Sequence, residues 1–244
     1  MRVDADLSDN VQTVLQLINE RSWHNLENTS ARNNDDNVNI NLAYVRMKEL
    51  LYSPLTVEIG RMQLNYGNGF IIGNGPNRFI YNSNPLVNVA SDLANNRAFD
   101  TIRAILDYKP LTVDLFASKV DANNLAGIEP QKDDIDLFGI NANYQLGDDM
   151  DSVVEAYLFT QFDHSVTNAP GAKTDKIYVP GLRASTNPIS GLNVQGEVAW
   201  QKGTLTNGTL DNVQRDAFGF QGIVNYQVKQ QDVEKYKPVL QGVY

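Results

Sequence analysis

Apolar and polar residues alternate one by one along this chain, and the alternation returns in segment after segment from end to end. Successive side chains of an extended strand point to opposite sides, so a period of two gives each segment one greasy face and one polar face. From Leu111 to Lys119, Leu111, Val113, Leu115 and Ala117 share one face, while Thr112, Asp114, Phe116 and Ser118 share the other. From Leu192 to Gln201, Leu192, Val194, Gly196, Val198 and Trp200 alternate with Asn193, Gln195, Glu197, Ala199 and Gln201. The same reading sets Val38, Ile40, Leu42 and Tyr44 against Asn39, Asn41 and Ala43, and Ile102, Ala104, Leu106 and Tyr108 against Thr101, Arg103 and Asp107. Apolar residues at helical spacing rarely persist beyond two turns, so the chain is expected to be all-β.

The pattern predicts about twelve strands, near 2–7, 11–23, 38–48, 54–67, 97–108, 111–121, 134–146, 152–163, 176–187, 192–203, 215–229 and 237–244. Short links at 8–10, 49–53, 109–110, 147–150, 188–191 and 230–236 alternate with long ones at 24–37, 68–96, 122–133, 164–175 and 204–214. In an up-and-down barrel every second link lies at the same rim, and outer-membrane barrels set tight periplasmic turns opposite long extracellular loops. A Greek-key sandwich has no reason to keep that parity. The expectation is an antiparallel up-and-down transmembrane β-barrel, one domain over 1–244. The chain lacks a charged, apolar, small-residue leader, so either a leader was removed or this is a piece of a longer product, truncated at one or both ends.

Bulk properties fit. No run of about 18 apolar residues exists, which excludes a transmembrane helix but not a barrel, whose strands show only alternate side chains to lipid. The mean hydropathy of −0.36 is uninformative for the same reason. With no cysteine there is neither a disulfide nor a thiolate site, and the net charge of −9 disfavours nucleic acid as a partner.

Aromatic residues suggest two girdles: Trp23, Tyr66, Phe162 and Trp200 at the outer rim, and Tyr108, Tyr144 and Tyr226 at the inner one. Between Leu55 and Tyr66 the apolar set changes phase, from Leu55, Val57 and Ile59 to Met62, Leu64 and Tyr66. A β-bulge at Gly60-Arg61 would restore one lipid face and turn Arg61 to the polar side with Glu58, Gln63 and Asn65.

On the barrel reading the polar faces line a lumen. Pore-lining candidates are Glu58, Arg61, Gln63, Arg103, Asp114, Glu155, Arg183, Glu197 and Gln201, with Gln16 and Glu20 beside them. Such rings of charge bias which solute passes, although an ion-paired network that only holds strands together is an equal alternative. Arg61, Arg103 and Arg183 are the candidates for meeting an anionic solute, since a guanidinium offers a planar fork to carboxylates. No cofactor is expected. His24 and His164 sit in polar stretches and read as loop residues rather than a metal pair, and Asp35-Asp36 and Asp148-Asp149-Met150-Asp151 lack the calcium-loop spacing. A Glu155/Glu197 glycosidase pair needs a separation that sequence cannot show, His164-Ser165 has nothing to orient the ring, and Gly67 to Gly73 matches a dinucleotide fingerprint poorly. The chain is therefore not expected to be an enzyme. The stretch 68–96, with Phe70, Ile71, Ile72, Phe79, Ile80 and Leu86, is expected to fold inward or over the mouth as a constriction.

Ala43-Tyr44-Val45 followed by Pro54-Leu55-Thr56-Val57-Glu58-Ile59-Gly60-Arg61-Met62-Gln63-Leu64-Asn65-Tyr66-Gly67 resembles a passage of the alginate-export family of outer-membrane proteins. Phe99 to Arg103, Gly181-Leu182-Arg183 and Glu197 to Gly203 resemble later strands of that family, while Met62 stands where the family often has Gln. The resemblance implies a monomeric barrel of roughly eighteen strands with an arginine-rich lumen for an anionic polysaccharide. The leading reading is a passive outer-membrane channel of a Gram-negative-type bacterium for hydrophilic or anionic solutes, with polysaccharide export as a special case. Its partners would be outer-membrane lipid and lipopolysaccharide. The runner-up is a soluble carbohydrate-binding β-sandwich.

Overall fold

The computed structural model describes residues 1–18, 38–73, 98–120, 135–164, 174–207, 210–227 and 239–244. They form twelve strands: β1 (Arg2–Ser8), β2 (Val11–Ile18), β3 (Asn39–Lys48), β4 (Leu55–Met62), β5 (Phe99–Asp107), β6 (Leu111–Val120), β7 (Ile135–Gln145), β8 (Val153–Asp163), β9 (Asp175–Ile189), β10 (Leu192–Asn207), β11 (Leu210–Gln227) and β12 (Val239–Val243). Each pairs antiparallel with the next in one sheet ordered β1 to β12, and the described residues contain no helix. A sandwich needs two sheets, so the runner-up fold is not the one adopted. Among the described residues β1 and β12 do not pair, and the sheet is open.

The register assigns every strand residue to a face. Ile59 opposes Ile102, Leu115 opposes Ile140, Ile140 opposes Leu158, and Val198 opposes Phe220. Ile102, Ile140, Leu158, Leu182 and Phe220 on this outward face are all exposed. Leaving one such side chain in water forgoes about 1.5–3 kcal/mol, and soluble monomers rarely show an apolar band continuous over eight strands. The opposite, inner face carries most of the polar residues and a covered apolar patch. Phe162 and Trp200 are outward as expected, and outward Trp200 donates to Asp216 at 2.7 Å.

Three expectations are corrected. First, pairing shifts between Gln16 and Leu17, so that Gln16 opposes Leu42 but Leu17 opposes Ile40. The shift flips parity: Ile40 stays outward, while Leu42 and Tyr44 turn inward. Second, β3, β4 and β5 pair without a register shift through Gly60-Arg61, with Gly60 at φ 128. There is no bulge, so Arg61 points outward, 3.4 Å from Asp100, while Met62, Leu64 and Tyr66 are buried on the inner side. Tyr66 is therefore not part of an outer girdle. Third, the expected long link at 204–214 is mostly strand, because Leu205 pairs with Val213 and Asn207 with Leu210. Strict alternation of link length ends there. The expected links at 24–37, 122–133 and 230–236, most of 164–175, and Trp23, Glu20, His24, Asp35, Asp36 and Ser165 lie outside the described residues.

Candidate functional site: a charged belt under a folded-in segment

After β4 the chain runs across the inner face instead of continuing as a strand. Leu64, Tyr66 and Ile72 are buried with Met62, Phe99, Phe116, Leu137, Tyr157 and Phe159. The Tyr66 ring stacks on Phe116 at 5.3 Å and meets Phe159 at 5.3 Å, and Tyr157 stacks on Phe159 at 4.5 Å. Glycines make the room. A methyl at Gly139 would overlap the Phe116 ring, and one at Gly181 would overlap Tyr157. The segment closes on itself through Tyr66 N donating to the Ile72 carbonyl at 3.0 Å, and the Phe70 ring lies over Gly219 of β11.

Beside this apolar patch, toward the short turns, a belt of polar side chains crosses the sheet. Arg46 donates to Gln12 at 3.2 Å and to Glu58 at 2.6 Å. Arg103 donates to Glu58 at 3.2 Å and, through two nitrogens, to Asp114. Asn141 donates to Glu155 at 2.5 Å, Arg183 to Glu155 at 3.2 Å, and Arg183 to Gln195 at 2.9 Å. Tyr157 Oη donates to Glu197 at 2.8 Å. Glu58, Asp114, Asn141, Glu155 and Glu197 are all buried, which explains the alternation: a carboxylate removed from water is tolerable only when donors replace its hydration.

The folded-in segment sits on the belt. Gly67 N donates to Glu155 at 3.0 Å and Asn68 N to Glu197 at 3.4 Å, while the Arg103 guanidinium lies 5.8 Å from the centre of the Tyr66 ring.

Of the residues singled out from sequence, Glu58, Arg103, Asp114, Glu155, Arg183 and Glu197 share this face and this network. Gln16 lies further along it, accepting from Asn41 at 3.1 Å. Gln201 has the same parity as Glu197, and Gln63 follows the end of β4 between inward Met62 and Leu64. Arg61 is on the other face. Arg46, Asn141 and Tyr157 belong to the network but were not among the candidates. The parity of Arg46 with Glu58, fixed by the β3–β4 turn, was the one usable signal. His164, just after β8, bonds Thr174, just before β9, at 2.9 Å, and no group of three or more metal-ligating side chains occurs among the described residues.

A single up-and-down antiparallel sheet, apolar outside and hydrogen-bonded polar inside, defines the wall of an outer-membrane β-barrel. A family model for alginate export matches residues 1–238, and the chain belongs to that family. Membership places it among outer-membrane export and channel proteins, a transport class. Comparison with curated proteins gave no match.

Proposed function

We propose that the protein is a passive outer-membrane channel for small hydrophilic solutes, with Glu58, Arg103, Asp114, Glu155, Arg183, Glu197 and Gln201 lining the passage. The carrying observation is the belt itself: a continuous run of charged and amide groups on the face opposite the apolar band. Lipid would cover that band, and the outward Arg61, Asp100, Lys119 and Asp136 would meet lipopolysaccharide headgroups at the long-loop rim. The family resemblance implies a ring of roughly eighteen strands, to which β1 to β12 would contribute one continuous arc. Arg61 does not support the anionic part of the sequence reading, since it faces away, and Arg103 and Arg183 already hold carboxylates.

The segment at 64–72 narrows the passage on this reading; residues 74–96 of the expected constriction, with Phe79, Ile80 and Leu86, lie outside the described residues. Deleting about fifteen residues of that stretch should raise single-channel conductance in planar bilayers. Unchanged conductance would rule the constriction out, and absence of any conductance in both forms would rule out the channel.

A further inference from the structure

The pairing register allows the charge of the two faces to be compared strand by strand. On the inner face the described strands carry six basic side chains, Arg2, Arg46, Lys48, Arg103, Arg183 and Arg215, against nine acidic ones between Asp4 on β1 and Glu197 on β10, a net of −3. The outward face carries four basic against three acidic, a net of +1. Among the described strands the acidic excess is turned inward.

Pairing sharpens the bias. Each arginine of the belt is already committed to a carboxylate, Arg46 to Glu58, Arg103 to Glu58 and Asp114, and Arg183 to Glu155. A guanidinium in such a pair has spent the fork with which it would grip a passing carboxylate or sulfate. Two acids lack a full cationic match among the described residues. Glu197 is held by the Tyr157 hydroxyl and the Asn68 amide, both uncharged, and Asp114 Oδ1 is buried without a hydrogen-bond partner among the described residues.

From this distribution we infer that the passage favours cationic and uncharged solutes over anionic ones, so that a polyanion is not its natural cargo. The inference rests on the channel reading and names its solute class. Rings of carboxylates concentrate cations in a narrow pore, whereas anions are drawn by unpaired Arg and Lys, which the belt does not offer.

The test uses the purified full chain in liposomes and three solutes of similar size: L-arabinose, L-lysine and D-gluconate. Arabinose should enter, and lysine should enter at least about twofold faster than gluconate. In planar bilayers under a potassium chloride gradient, the reversal potential should lie on the potassium side. Glu197→Gln should reduce the lysine preference, and if that variant does not fold the native reversal potential decides. Gluconate entering as fast as lysine, with arabinose passing, would overturn the inference and leave the channel intact. Exclusion of all three solutes, with no current, would remove the channel reading and the inference together.

Discussion

Gly67 donates its backbone N–H to the Glu155 carboxylate at 3.0 Å, which fixes a segment leaving β4 to the middle of β8. Asn68 repeats the arrangement on Glu197 of β10 at 3.4 Å. Two buried acids thus act as the seat for a backbone turn, and the aromatic stack under Tyr66 supplies the apolar half of the same anchorage.

Arg103 joins two buried acids that nothing else on β5 can satisfy. Replacing it with Met leaves Glu58 with Arg46 and Asp114 without a cation. Unfolding of Arg103→Met in detergent and urea at neutral pH should show a loss of about 3 kcal/mol, the usual order when one member of a buried pair is removed. Part of that loss should return in Arg103→Met/Asp114→Asn, which removes the stranded charge.

Gly139 is required by a neighbour and not by its own backbone. Gly139→Val should cost about 1–3 kcal/mol by pressing on the Phe116 ring. Phe116→Leu should cost stability in the native chain yet recover part of the loss in the double variant, because the two positions share one space. Additive losses in a double-mutant cycle would show that Phe116 is not the obstacle.

The turn between β7 and β8 supplies a pH-dependent contact. Asp148 accepts the Ser152 amide at 2.7 Å, and this bond lowers the Asp148 carboxyl below its ordinary range. A lowered native value stabilises the fold above the ordinary carboxylate range, and that contribution is lost as pH falls through the lowered value. The stability gap between the native chain and Asp148→Ala should therefore be present at neutral pH and shrink on strong acidification. A gap that widens as pH falls would reverse the sign.

The faces of β6 were legible from sequence because its alternation is unbroken and its hairpins keep register. Leu111, Val113 and Leu115 lie outward and Thr112, Asp114 and Phe116 inward, as the period demands. The break at Gly60-Arg61 was equally visible, but hydropathy does not distinguish an apolar residue turned to lipid from one turned to a packed segment. Met62, Leu64 and Tyr66 are of the second kind. The one-residue shift at Gln16 and Leu17 left no mark in composition, yet it reversed Leu42 and Tyr44. The seat for 67–68 was hidden for another reason: its donors are backbone amides, which every sequence possesses.

In a barrel wall, neighbouring residues of one strand face lipid and water in turn. Ala184 and Ser185 of β9 are such neighbours, Ala184 outward beside Val154 and Ser185 inward, where it accepts from Asn193 at 3.2 Å. The chain contains no cysteine, so Ala184→Cys and Ser185→Cys can each carry a single nitroxide in bilayers. The label at 184 should collide with dissolved oxygen and be shielded from a water-soluble nickel chelate, with the opposite at 185. Equal exposure of both labels to the chelate, or shielding of both from oxygen and chelate alike, would contradict it.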